Sequence, residues 1–152
     1  MERRSVMTKL KKALIDGKIL TLLKRWKELE TATIKSCGAI NKKTANPLVK
    51  TLITAIANDS AKHKSILQLI IDGMTKKAFV LTPDDVSHIS ALLDNHVDLE
   101  NEAIDVAEQA IKISKDPLTK QLLRLILEDE KKHANLAEQI NELKFRTLAK
   151  IT

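Results

Sequence analysis

Asp129-Glu130-Lys131-Lys132-His133 has a partial copy seventy residues earlier, Asp59-Ser60-Ala61-Lys62-His63. The copy keeps Asp, Lys and His, and carries Ser60 where Glu130 stands. On a helix, residues three apart lie about 60° apart around the axis and about 4.5 Å apart along it. Glu130 and His133 so placed can reach one metal ion. Glu-x-x-His is common in charged helices, so the repetition carries more weight than the motif.

The copy belongs to a longer repeat. A shift of 70 residues superposes 19–70 on 89–140 without a gap and gives 16 identities over 52 positions. Ile19, Leu22, Leu23, Leu29, Glu30 and Ile34 match Ile89, Leu92, Leu93, Leu99, Glu100 and Ile104. Pro47, Leu48, Leu52 and Ile56 match Pro117, Leu118, Leu122 and Ile126, and Asn46 faces Asp116 as a cap for a cap. Two helical hairpins are bound to share apolar positions. Glu30 with Glu100, and His63 with His133, are matches of another kind, because acids and imidazoles on apolar faces are costly without partners.

Chain composition agrees with a helical reading. Gly and Pro number three each, aromatics are 2%, and the apolar spacing is helical almost throughout. The core must be Leu, Ile, Val and Ala, which suits a helical bundle and argues against a β-sandwich. A chain of 152 residues is one domain's length. A single cysteine, Cys37, excludes an intrachain disulfide and a Cys-based zinc site, so a reducing, cytoplasmic setting is expected. No apolar leader follows the basic start, and no apolar run approaches the length of a membrane span.

Charge is unevenly placed. Residues 1–27 hold nine Lys and Arg against Glu2 and Asp16, whereas the remainder is nearly balanced. A basic N-terminal segment of this kind can meet nucleic acid, a membrane surface or a protein partner. A solvated helix face is the plainer reading. Against nucleic acid stand the absence of Tyr and of any recognisable binding motif.

In chain order, residues 1–17 read as a basic amphipathic lead-in with Val6, Leu10, Ala13 and Leu14 on one face. Gly17 is expected to weaken or kink the helix. Helix one continues through Ile19, Leu22, Leu23, Trp26, Leu29, Glu30, Thr33, Cys37 and Ile40. Cys37 sits on the core face and is expected to be a small buried hydrophobe rather than a nucleophile. Asn46-Pro47 ends one helix and starts the next. Helix two carries Leu52, Ile56, Ser60, His63, Leu67 and Ile70 and should stop near Asp72-Gly73. A connection over 73–81 follows, with Ala78, Phe79, Val80 and Leu81 as a small apolar patch. Thr82-Pro83-Asp84-Asp85 starts helix three, which runs through Val86, Ile89, Leu92, Leu93, His96, Leu99 and Glu100. Asp116-Pro117 starts helix four, which carries Leu122, Ile126, Glu130 and His133 and continues toward Leu143 and Leu148.

The expected architecture is all-α: two repeated αα-hairpins, about 18–72 and 83–143, packed as a four-helix bundle over 18–152 with a basic helical extension over 1–17. Glu100 lies 16 residues before Asp116 and Glu130 lies 14 after it, so in an antiparallel hairpin they fall at nearly one height. The same arithmetic about Asn46 brings Glu30 level with Ser60 and His63.

These residues resemble the ferritin-like superfamily, its rubrerythrin-like branch more than its cage-forming branch. The resemblance covers roughly 18–143 and rests mainly on Glu100-x-x-Ala103, the Asp116 turn and Asp129-Glu130-x-x-His133. It implies one Glu from each of two helices and Glu-x-x-His from each of the other two around a di-iron or di-manganese centre. Carried over residue by residue, the implied metal ligands are Glu30, His63, Glu100, Glu130 and His133, with His96 a further ligand or a partner of one. The implied cargo is one or two ions of Fe or Mn, or else Zn. The resemblance also implies that the 73–81 connection runs the length of the bundle, whereas its length alone favours a third helix that turns straight back. Ser60 departs from the pattern where a bridging Glu is expected, and serine is a poor ligand for a hard divalent ion. The rubredoxin-like Cys pair and the usual nearby Tyr are also missing. Two functions stay open. One is a metal-binding protein, with oxygen or peroxide chemistry if iron or manganese is bound; whether it is an enzyme is undetermined. The other is a degenerate, metal-free bundle acting in interaction or assembly through its basic segment. A homodimer is compatible with either, and nothing points to a storage cage.

Overall fold

In the computed structural model, residues 2–77 and 82–142 are described, and the side chains of 1–8, 10, 11 and 83 lie outside the description. The described residues form helices, turns and short connections, with no strand among them. The order is α1 (Glu2–Lys43), α2 (Pro47–Thr75), α3 (Pro83–Ser87), α4 (Ser90–Ile113) and α5 (Pro117–Glu142). The chain divides into two compact units, Met1–Phe79 and Val80–Thr152. Each holds one antiparallel hairpin, α1 against α2 and α4 against α5. The proposed faces of Val6 and Leu10, the Ala78–Leu81 patch and the extension toward Leu143 and Leu148 fall outside the description.

Hairpin turns form where the sequence places them. The Asn46 side chain accepts from Leu48 N at 2.9 Å and Val49 N at 3.3 Å, satisfying amides that the first turn of α2 leaves open. Pro47 follows at the first helical position, where its missing N–H costs nothing. At the second turn Asp116 accepts from Thr119 N at 2.7 Å and from the Thr119 hydroxyl at 2.6 Å.

Three boundaries differ from the sequence expectation. Helix α1 passes through Gly17 unbroken, with the Thr21 hydroxyl donating to the Gly17 carbonyl at 3.0 Å. One glycine costs a helix only about 1 kcal/mol, and the turns on both sides carry it across. Helix α2 likewise runs past Gly73 to Thr75. The third expected helix is split into α3 and α4. Thr82 N and its hydroxyl both donate to the Asp85 carboxylate, at 2.7 and 2.8 Å, which starts α3 firmly. The Asp84 carbonyl then accepts from the Ser87 hydroxyl at 3.3 Å and faces His88 Nδ1 at 3.0 Å. Side chains there compete with the backbone ladder, and the helix ends after one turn. Val86 is buried, so the short helix still contributes to its unit.

Each hairpin closes along a narrow seam. On α1 the shielded positions include Leu23, Lys27, Glu30, Ile34, Cys37 and Asn41; on α2 they include Ile53, Ala57, Ser60, Lys64, Leu67 and Ile71. On α4 they include Leu93, Val97, Glu100, Ile104, Ala107 and Ile111; on α5, Leu123, Leu127, Glu130, Ala134, Ala137 and Asn141. The spacing alternates four and three, a two-helix seam of the coiled-coil kind. Polar pairs between the helices fix the register. Lys27 bonds Gln68, Asn41 Nδ2 donates to Thr54 Oγ1 at 3.1 Å, and Lys131 meets Glu108 at 3.0 Å. The seam therefore carries Glu30 and Ser60 to the middle of the first hairpin, and Glu100 and Glu130 to the middle of the second.

Candidate metal centre

Glu100 comes from α4, and Glu130 and His133 from α5. Glu100 is 9% exposed, so its carboxylate is largely out of water. His133 Nδ1 lies 3.5 Å from Glu130 Oε2 and 3.9 Å from Glu100 Oε2. One ligand atom from each of the three residues falls within 4.8 Å of the others. Ligands about 2.1 Å from a common ion stand roughly 3–4 Å apart, so small side-chain movements close the set. Among the described residues this is the one group of three such side chains that meets this test.

His96, one turn before Glu100 on α4, places Nε2 3.1 Å from Glu100 Oε1. It holds the oxygen of Glu100 that does not face His133. A shallow cleft opens over the group, walled by Leu93, Leu136, Ala137 and Ile140. The imidazole of His133 is half exposed there, so the group is reachable from outside its hairpin.

Two carboxylates facing each other need a proton or a cation between them. The hydrogen bond between Glu100 and Glu130 pushes the Glu100 carboxyl above its ordinary range, and burial and the Glu130 charge push the same way. His133 and His96 pull it down more weakly. Two acids and an imidazole at this separation are a donor set suited to Fe, Mn or Zn. The residues present therefore fit one ion.

In the first hairpin the corresponding side chains meet in a different way. Glu30 is 8% exposed and Ser60 is 5% exposed. Trp26 Nε1 donates to Glu30 Oε1 at 2.8 Å, and His63 Nδ1 stands 3.3 Å from the same oxygen. The Ser60 hydroxyl donates to the carboxylate as well; with Trp26 and His63 it holds Glu30 below its ordinary range, against the opposing pull of burial. Glu30 and His63 thus meet each other as the sequence leads one to expect, but with two hydrogen-bond donors around them and, among the described residues, no second carboxylate.

Trp26 is the residue the sequence reading missed. It counts as apolar in any periodicity, and its polar edge is invisible to that count. The available signal was its position, four residues before Glu30 and seventy before His96.

No family model, no curated protein and no solved structure matches the chain.

Proposed function

We propose that the protein is a ferritin-like metal-binding protein whose ion is held by Glu100, Glu130 and His133. The supporting observation is the meeting of these three side chains from two helices within 4.8 Å, beside a buried carboxylate whose neighbour is another carboxylate. Bound iron or manganese would supply oxygen or peroxide chemistry at positions the side chains leave open. In this role Glu100 and Glu130 neutralise the cation, His133 adds a nitrogen donor on the open side, and His96 orients Glu100. Orienting partners of this kind tune ligands and metal alike.

The reading includes the pairing of the two hairpins as a four-helix bundle. Its support is the apolar surface beside each seam, where Leu22, Trp26 and Leu29 in the first hairpin and Leu92 and Leu99 in the second are exposed. Pairing of the two hairpins would cover these faces.

Elemental analysis tests the proposal. Protein produced with added iron, manganese or zinc is expected to carry metal, and Glu130→Ala/His133→Ala is expected to lose it. Metal-free protein under every supplement would sink the reading and leave the metal-free bundle, an interaction or assembly module, in its place.

A further inference from the structure

The two hairpins carry the same four positions with different chemistry. Trp26, Glu30, Ser60 and His63 in the first stand seventy residues before His96, Glu100, Glu130 and His133 in the second. Two of the four are unchanged in type. The other two, Trp26 for His96 and Ser60 for Glu130, alter what surrounds the buried acid.

We propose that Trp26 and Ser60 turn the first hairpin's cluster into a hydrogen-bonded lock that excludes metal, so that the chain holds one ion, in the second hairpin, and not two. This rests on the proposed function and deepens it, since it assigns the ion to one hairpin.

Donor geometry carries the argument. An ion needs lone pairs, and Glu30 Oε1 already accepts from Trp26 Nε1 at 2.8 Å and faces His63 Nδ1 at 3.3 Å. Ser60, 5% exposed, donates a hydrogen bond from its hydroxyl to the same carboxylate. An indole N–H is a donor only and cannot become a ligand by losing a proton at ordinary pH. A neutral hydroxyl is a weak ligand for a hard divalent ion, and it supplies no charge. Metal at Glu30 and His63 would have to displace two satisfied hydrogen bonds and find a single negative charge. At the second hairpin an ion replaces the hydrogen bond between Glu100 and Glu130, can leave His96 on Glu100 Oε1, and meets two carboxylates, which need a cation or a proton between them. A lone carboxylate in a seam, conversely, is well served by three donors, because each removes part of the cost of holding the charge out of water.

The test uses the full chain, stripped with chelator and then dialysed against zinc, a redox-inert probe. Two measurements are made: bound zinc per chain, and the Nε1–H resonance of the single tryptophan in ¹⁵N-labelled protein. The wild type is expected to bind one zinc per chain with the indole resonance still hydrogen-bonded. Glu30→Gln, which still accepts from Trp26, is expected to bind one, and Glu130→Gln none. Trp26→His/Ser60→Glu recreates the second hairpin's residues in the first and is expected to bind two. Two zinc per wild-type chain, or loss of the indole hydrogen bond as zinc is added, would overturn the lock while leaving the proposed function standing. One zinc that disappears in Glu30→Gln and survives in Glu130→Gln would overturn both the lock and the assigned ligands. Zero zinc in the wild type would overturn both proposals. Circular dichroism of each variant establishes that it is folded; should the double variant fail to fold, the wild-type count and Glu30→Gln still decide whether the lock stands.

Discussion

Glu30 and Glu100 have the same side chain, the same shielding and the same place in their seams, and their protonation is pulled in opposite directions. Donors from Ser60, Trp26 and His63 stabilise the Glu30 anion, whereas Glu130 destabilises the Glu100 anion. The consequences for stability have opposite signs. Glu30, lowered in the folded state, contributes stability above the unfolded carboxylate range, and this is lost as pH falls through its lowered value. Glu100, raised in the folded state, costs the metal-free protein stability near neutral pH, and the cost is relieved as pH falls through its raised value toward the unfolded range. A carboxyl-detected NMR titration of metal-free protein is expected to show Glu30 protonating below the ordinary glutamate value of 4.5 and Glu100 above it. Both titrating together at the ordinary value would contradict the two hydrogen-bond arrangements. Glu100→Gln is correspondingly expected to raise the melting temperature of the metal-free protein at pH 7 and to flatten its pH dependence above the ordinary glutamate range.

Helix boundaries in this chain follow side chains that bond the backbone, and the caps are accordingly where substitutions should be felt. Asn46→Ala removes the acceptor for Leu48 N and Val49 N at the head of α2. The expected loss is about 1 kcal/mol, or roughly 2–4 °C in melting temperature, with metal content unchanged. Asn46→Asp should retain the stability, since either side chain caps. The caps at Asn46-Pro47, Thr82-Pro83 and Asp116-Pro117 were legible in the sequence because cap chemistry is local. The end of α3 was not, because the apolar spacing runs on from Val86 to Ile89 and Leu92 while the side chains of Ser87 and His88, between them, bond the Asp84 carbonyl. The seam was legible in part. Glu30, Cys37 and Glu100 were placed on the inner face and are buried, but Leu22, Leu29, Leu92 and Leu99 were placed with them and are exposed. A 3.6-residue period counts the whole apolar stripe, and a two-helix seam covers only its centre. Glu100 and Glu130 could be brought to one level from their distances to Asp116 alone, because α4 and α5 run unbroken from them to the turn and the turn is short.

For the molecule as a whole, those uncovered leucines matter most. Leu92 is 70% exposed and Leu22 69%, on faces flanking the glutamates at the seam. If the hairpins pair within one chain, as the bundle reading holds, these residues lie in its core. The linker between α2 and α3 is short, which sets an effective concentration on the order of millimolar for the in-chain encounter. At micromolar protein, pairing within the chain should therefore prevail over pairing between copies. Leu92→Lys discriminates sharply. A lysine on a solvated helix face changes stability by less than about 0.5 kcal/mol, whereas one in a core forfeits the roughly 1.5–3 kcal/mol of a buried leucine and adds an unpaired charge. We expect Leu92→Lys to lower the melting temperature of the metal-free protein by at least about 4 °C, to the same extent at about 2 µM and about 200 µM. A wild-type melting temperature that climbs with concentration would show instead that a second copy supplies the cover, since only association makes stability depend on concentration. A neutral Leu92→Lys, with no concentration dependence in the wild type, would remove the bundle from the reading. The Glu100, Glu130 and His133 site, built within one hairpin, would stand without it.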